Sequence, residues 1–558
     1  MTRTRRATVG VDFGTESARA VLVDVSDGTE LATAVHSYAA GVIDRRLPGH
    51  DIELAPDWAL QDPDDYVEAL GLTVRGVLSS SGISPEQVIG VGIDFTACTM
   101  LPVTSDGTPL CRLPEFRDNP HSWVKLWKHH AAQPEADLIN SIAETREEPW
   151  LDRYGRRTSS EWFFAKALQI LDESPEVYAA ADRLIEAADW IVWQLTGIES
   201  RNSCTAGYKA LWSRRHGFPD PAFFAALAPG FADVVAEKMS LEITSPGQRA
   251  GVINAAAADL TGLRPGTSVA VANVDAHVSV PAATVVSPGS MVAVMGTSTC
   301  HLTLADTEQV VPGFCGVVED GVVPGLYGYE AGQAAVGDMF AWFTRLLDAD
   351  GRGESDTHNS LERQARLLKP GESGLVALDW WNGNRSILVD ADLTGLILGT
   401  TLATTPGDIY RALLESTVFG TRVIIEALNG AGIDVHDLVV CGGLPYQNHL
   451  LMQLTADITG RPVRVAASRQ TPALGSAMFA AVAAGPALGG HESIVEAARH
   501  MASLSSDEYL PDLSTRPVYD DLYSIYRELH DTMSESTSGM RRLRTVQDRA
   551  RQTTVSVP

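Results

Sequence analysis

The feature that most restricts the fold of this chain is a pattern that occurs twice. Residues 8–13 form an apolar run, Gly14-Thr15 breaks it, and residues 18–25 then alternate apolar and polar. Residues 291–295 are apolar in the same way, Gly296-Thr297-Ser298-Thr299 breaks them, and residues 301–305 alternate. An Asp-Gly pair follows each copy, Asp27-Gly28 and Asp320-Gly321, and such a pair is a strong hairpin signal. The spelling agrees as well: Gly14 precedes Asp24 by ten residues, and Gly296 precedes Asp306 by ten. The repeat predicts two related domains, each opening with a β-hairpin whose turn faces a shared cleft. Two unrelated hairpins are the plainer alternative.

Elsewhere strands alternate with helical stretches. Residues 268–274 read as an apolar strand ending at Asp275, and 437–440 as a buried strand. Helical periodicity runs through 160–171, 179–195, 407–428, 447–459 and 472–484, while 351–359 reads as a polar surface loop. This alternation argues α/β architecture. A length of 558 residues calls for several domains, and a hydrophobic content of 45% supplies a core for each. The boundary is expected near Pro281 and Pro288-Gly289, which gives domains 1–287 and 288–545 and a disordered tail, 546–558.

Charge and cysteines narrow the partners. A net charge of −27 repels phosphate backbones, so no nucleic acid is expected. The six cysteines include no C-x-x-C pair, which fits a reducing cytoplasm and gives no zinc or redox motif. The basic start, Arg3 to Arg6, leads into no signal-peptide core because Asp12 interrupts it, and no apolar run is long enough to span a membrane. Oligomeric state is open, with a homodimer as the candidate.

The common nucleotide and hydrolase motifs are absent. Glycine is never followed by lysine, Gly90-Val91-Gly92 lacks the third glycine of a dinucleotide loop, and neither H-E-x-x-H nor G-x-S-x-G occurs. What remains is Asp12-Phe13-Gly14-Thr15 after a buried strand. Glycine lets backbone N–H groups approach a phosphate, the Thr15 hydroxyl adds a donor, and Asp12 could hold Mg²⁺ through water. A plain hairpin turn explains the same letters. Gly296-Thr297-Ser298 offers a second such turn, and two turns can clamp one triphosphate. Cys441-Gly442-Gly443, with Asn448, Gln453 and Asp457 beyond it, leaves room for a flat base on the backbone, or simply marks a βα turn. Trp123 and Trp127 sit four apart on a predicted helix and read as core packing, while His129-His130 reads as surface. Trp380 and Trp381 either line the cleft or pack.

Asp12-Phe13-Gly14-Thr15, residues 295–298 and Gly442-Gly443 occur in the order and spacing found in the FGGY carbohydrate kinases, which the chain resembles over residues 7–530. Residues 395–415, with Gly399 and Asp408, resemble that family's C-terminal signature. Longer strings resemble its ribulokinase branch, among them Ser159-Ser160-Glu161-Trp162, Gly207-Tyr208-Lys209, Glu330-Ala331-Gly332-Gln333 and Trp380-Trp381-Asn382-Gly383-Asn384-Arg385-Ser386. The resemblance implies two actin-like, ribonuclease H-like domains facing a central cleft, with sugar deep between them. It implies transfer of the γ-phosphoryl group of Mg·ATP to L-ribulose, as in L-arabinose catabolism. D-ribulose or ribitol are further acceptors to consider.

The resemblance also assigns roles. Asp275 is the base for the attacking hydroxyl, and Ala97, Lys209, Asp275 and Glu330 meet the sugar. Gly14, Thr15, Gly296, Thr297, Ser298, Gly442, Gly443 and Asn448 hold the nucleotide, and Asp12 holds Mg²⁺. Plainer roles are an N-cap for Asp275 and a surface ion pair for Lys209. Two rivals stay open: an FGGY kinase for D-ribulose, xylulose or glycerol, and a non-catalytic actin-like sugar sensor.

Overall fold

The computed structural model describes residues 5–554 apart from 50, 241, 348–352 and 536. Two seven-stranded sheets organise it. The first holds β1 (Ala7–Phe13), β2 (Ser17–Asp24), β3 (Glu30–Ser37), β4 (Val88–Phe95), β5 (Arg249–Val252), β6 (Ser268–Ala270) and β7 (Asn273–Val274). Its order is β5-β6-β4-β1-β2-β3, with β7 also paired to β4. The second holds β8 (Ser290–Met295), β9 (Thr299–Ala305), β10 (Gly316–Glu319), β11 (Tyr327–Gln333), β12 (Asp437–Gly442), β13 (Val463–Ala466) and β14 (Leu504–Tyr509). Its order is β14-β13-β12-β8-β9-β11-β10.

The two orders superimpose, and so do the directions. β1 runs antiparallel to β2 and parallel to β4, as β8 runs antiparallel to β9 and parallel to β12. β4–β6 and β12–β13 are parallel, while β5–β6 and β13–β14 are antiparallel. The repeat in the sequence is therefore a repeat of topology. Its physical root is the same in both copies: a buried apolar strand, a glycine turn, and a largely buried antiparallel partner. The predicted two-domain α/β fold is borne out.

Helices cover the sheets. α1 (Pro63–Ser81) begins at Asp62, whose side chain accepts the Asp64 N–H, and ends at Gly82 in the left-handed region. It lays Tyr66, Leu70, Val74 and Val77 on the first sheet's core. α2 (Ser203–Lys209) and α3 (Asp275–Ala282) follow, then α4 (Pro406–Gly430), α5 (His449–Thr459) and α6 (Thr471–Ala484). α6 belongs to the second half of the chain but packs on β1 and β4 of the first sheet and on α3. Small residues allow that approach. A Cβ at Gly10 would lie 1.8 Å from Ala473 O, and one at Gly92 2.1 Å from Ser476 O.

Four readings need correction. Residues 353–359, expected as loop, largely belong to a helix, Glu354–Leu367; residues 351 and 352 lie outside the described residues. Helix 179–195 is interrupted: Arg183–Glu186 is a strand, because Arg183, Leu184, Ile185 and Glu186 pair with Met100–Val103. Residues 123–127 are not helical, since Val124–Lys125 pairs as a strand with Leu60–Gln61. The tail 546–558 is helical through Thr554, in Gly539–Thr554, and its last residues lie outside the described ones.

Candidate active site

Parallel strands open at their carboxyl ends onto the place where α/β proteins bind ligands. β1, β4 and β7 end side by side there, with Asp12 paired to Asp94 and Asn273 paired to Asp94 in register. One residue past β7 the chain turns into α3, and Asp275 is its first residue. The N-cap position is Val274, so the capping role weighed for Asp275 does not apply. Asp275 Oδ1 accepts the Ala276 N–H at 2.6 Å. Burial, and then the nearby Asp12 and Glu330 carboxylates, push its pKa up to about 7 against the pull of the Ala276 hydrogen bond and Lys209. Burial raises Asp12 as well, opposed by its contact with Asp94 and by Arg19.

Lys209 ends α2 and Glu330 sits in β11 of the other half. They meet in a buried ion pair, Nζ to Oε1 2.8 Å and to Oε2 3.0 Å, with side chains 8% and 6% exposed. The surface pair weighed for Lys209 is thus a buried one. His277 Nε2 lies 3.3 Å from Glu330 Oε2, and its ring packs 4.3 Å from that of Tyr208. Burial alone would raise Glu330, but the Lys209 ammonium outweighs it and holds the carboxyl well below its ordinary range. Ala97 is half-buried, and the Lys209 charge is felt at its neighbour Cys98. Asp275, Lys209 and Glu330 therefore come together.

The expected nucleotide residues form two groups. At the first turn, Gly14 N–H donates to Ser17 O, Gln61 Nε2 donates to Thr15 O at 2.7 Å, and Trp127 Nε1 donates to Thr15 Oγ1 at 3.0 Å. At the second, Gly296 O and Thr297 O accept N–H groups of Val336, Gly337 and Asp338, where helix Gly337–Leu347 begins. Met295 pairs with Gly442, so this turn and Gly442-Gly443 are neighbours at the ends of β8 and β12. Gly442 has φ +92°, and a Cβ there would strike Met295 O at 2.4 Å; Gly443 is exposed, with nothing within 4 Å of its Cβ position. Cys300, two residues beyond Ser298, feels Glu330, Asp275 and Lys209, which ties this hairpin to the acidic site.

Asn448 departs from its expected role. It is fully buried and caps α5: Oδ1 accepts the Leu451 N–H at 2.9 Å, and Nδ2 donates to the Tyr410 hydroxyl at 3.3 Å. Both ends of its amide are taken by the fold. His129 is also buried, with Nε2 2.9 Å from Gln169 Oε1, rather than at the surface. Trp380 packs in the second core and Trp381 covers Gly395.

Three site residues escape a reading of the letters. Asp94 lies buried beside Asp12, and Ser476 Oγ of α6 donates to its Oδ2 at 2.5 Å. Arg19 faces Asp12 in register, and its buried Nε has no partner among the described residues. Lys166 Nζ donates to Cys98 O at 2.6 Å and Leu126 O at 2.7 Å, fixing the backbone next to Ala97. The strand register signals the first two; nothing local signals the third.

Comparison with known proteins agrees with this geometry. Residues 7–280 match the N-terminal domain, and residues 291–484 the C-terminal domain, of the FGGY family of carbohydrate kinases. The chain is 54% identical over 548 residues to a ribulokinase of Halalkalibacterium halodurans, covering 97% of each chain. It is 55% identical over 554 residues to a ribulokinase of Shouchella clausii, covering 98% of this chain and 99% of the other. Its fold is that of a ligand-bound xylulose kinase from Lactobacillus acidophilus, at a TM-score of 0.78 and 19% identity over 95% of this chain and 99% of that one. The duplicated sheet, the buried site drawn from both halves and these matches along the whole length agree: the chain belongs to the FGGY family of carbohydrate kinases.

Proposed function

We propose that the protein phosphorylates L-ribulose with ATP, giving L-ribulose 5-phosphate and ADP, the kinase step of L-arabinose use. The observation that carries this reading is the buried meeting of Asp275, Lys209 and Glu330 from both halves of the chain. The ribulokinase kinship along nearly the full length supports the choice of sugar.

Phosphoryl transfer asks a protein for alignment, charge neutralisation and a base. Asp275 is the base: at a pKa of about 7 roughly half of it is ionised in neutral solution, and that form is basic enough to take the hydroxyl proton. Glu330, held ionised, accepts hydrogen bonds from sugar hydroxyls, and Lys209 donates them. Their mutual attraction offsets the cost of burying either charge beneath the sugar. The half-buried Ala97 makes room for the sugar against backbone. Residues 1–287 form the sugar side and 288–545 the nucleotide side. There the backbone at Gly14-Thr15 and Gly296-Thr297-Ser298 meets the phosphates, and the open surface over Gly442-Gly443 takes the base. Asn448 acts by holding the start of α5. Asp12 offers hard carboxylate oxygens beside the first turn, a donor set that suits Mg²⁺. Mg²⁺, when bound, neutralises phosphate charge. Closure of the halves expels water, which otherwise competes as acceptor.

Ribitol and D-ribulose are second acceptors, since a tenfold preference between epimers needs only about 1.4 kcal/mol. An ADP-release assay over L-ribulose, D-ribulose, ribitol, D-xylulose and glycerol tests both readings. L-Ribulose is expected to give the highest kcat/KM. ADP release at the same rate without any sugar would sink the kinase assignment.

A further inference from the structure

The strongest unassigned group in the molecule is the Asp94 carboxylate. We propose that Asp94 is a second carboxylate of the cation site at Asp12, aimed there by Ser476 from α6. The inference rests on the reading of Asp12 as the Mg²⁺-side residue and extends it.

Asp94 is fully buried, in the middle of the first sheet. Its Cα pairs in register with that of Asp12 on the neighbouring parallel strand, so the two side chains leave the same face. Oδ2 accepts Ser476 Oγ at 2.5 Å. Oδ1 is buried and has no hydrogen-bond donor among the described residues. A buried carboxylate oxygen without a partner is costly, and a second carboxylate alongside makes it more so. Two things can relieve that oxygen, a proton shared with Asp12 or a cation. A divalent cation with its water shell satisfies it and also screens Asp12 from Asp94. Mg²⁺ characteristically takes one or two protein carboxylates and keeps several waters.

The aim of Asp94 is set from a distance. Ser476 sits on α6 where the helix backbone touches the sheet, because Gly92 leaves no room for a Cβ: one would fall 2.1 Å from Ser476 O. The helix therefore cannot slide, and its hydroxyl fixes one Asp94 oxygen so that the other turns toward Asp12. In this arrangement the helix between the halves also reports on the cation.

Mn²⁺ is the probe, titrated into the full-length protein with and without ADP and followed by loss of the free-ion paramagnetic signal. The variants are Asp12→Asn, Asp94→Asn and Ser476→Ala, each checked for folding by circular dichroism and thermal melting. Asp94→Asn is expected to weaken Mn²⁺ binding at least tenfold and Ser476→Ala by a few-fold. Should Asp94→Asn not fold, the Ser476→Ala titration decides alone. Weakening in Asp12→Asn with parental affinity in the other two overturns the role of Asp94 and leaves a shared proton between the carboxyls. Parental affinity in all three removes the cation reading of Asp12 itself. Weakening in Asp94→Asn alone takes the cation off Asp12 and overturns the shared site.

Discussion

At the scale of single residues the site is a set of opposed charges whose balance is set by burial. Among the described residues Asp275 has no cation directly on its carboxylate, so desolvation wins and its pKa rises to about 7. Two predictions follow from that value. Asp275→Asn should keep sugar binding and lose about 10²–10⁴-fold in kcat. In the parent, kcat/KM should climb with pH through an inflection near 7, because the base works only when deprotonated. Stability moves the other way. A raised pKa means the folded state holds the proton more tightly, so the native fold is penalised as pH rises from the ordinary carboxylate range through about 7. Asp275→Asn should therefore melt a few °C above the parent at pH 8, with the gap closing near pH 4. The Lys209–Glu330 pair behaves differently. Lys209→Met strands a buried carboxylate and should cost about 3–5 kcal/mol, whereas Lys209→Met with Glu330→Leu should recover most of that while leaving sugar binding lost. Thermal melts beside sugar titrations separate the two effects.

At the scale of elements, the hairpins and α6 do most to place these residues. Each hairpin ends on a glycine turn, and the parallel strand beside it delivers the next residue of the candidate site: Asp94 beside Asp12, Gly442 beside Met295. The helix α6 joins the two systems by lying on β1, β4 and α3 at once. Its contact is backbone against backbone at Gly10 and Gly92, so a methyl group there must push the helix off the sheet. Gly10→Ala should destabilise by at least about 2 kcal/mol, at the high end for overpacking, because the obstacle is a carbonyl rather than a flexible side chain. Denaturant unfolding measures it; parental stability would mean that the helix shifts freely.

At the scale of the whole molecule, the halves recognised in the sequence are not independent bodies. The first sheet takes one of its covering helices from residues 471–484, nearly two hundred positions beyond the expected boundary. Glu330 crosses to Lys209 and His277, and Arg385 crosses to Glu161 at 3.3 Å. A fragment of residues 1–287 exposes the apolar floor of β1 and β4 where α6 belongs. Made alone it should aggregate, and made together with 288–558 it should stay soluble. Solubility and cooperative melting of the fragment by itself would contradict this account.

The repeat, the two-domain α/β plan, the aspartate just past a strand end and the glycine turns were all legible in the letters. They depend on local patterning: apolar runs, turn residues and spacing along one stretch of chain. Asp94, Arg19, Lys166, the buried state of Lys209 and the capping role of Asn448 were not legible. Each depends on what lies beside it across a sheet or between the halves, and neighbours so distant in sequence leave no periodic trace. Trp127 looked like half of a helical pair because four-residue spacing is ambiguous; strand pairing at residues 124–125 outweighed it and turned its indole to Thr15. The sequence alone determined which chemical groups the protein carries and the order of its elements. Only the tertiary structure decided which groups share a low-dielectric space, and hence which charges are held, shifted or left waiting for a cation.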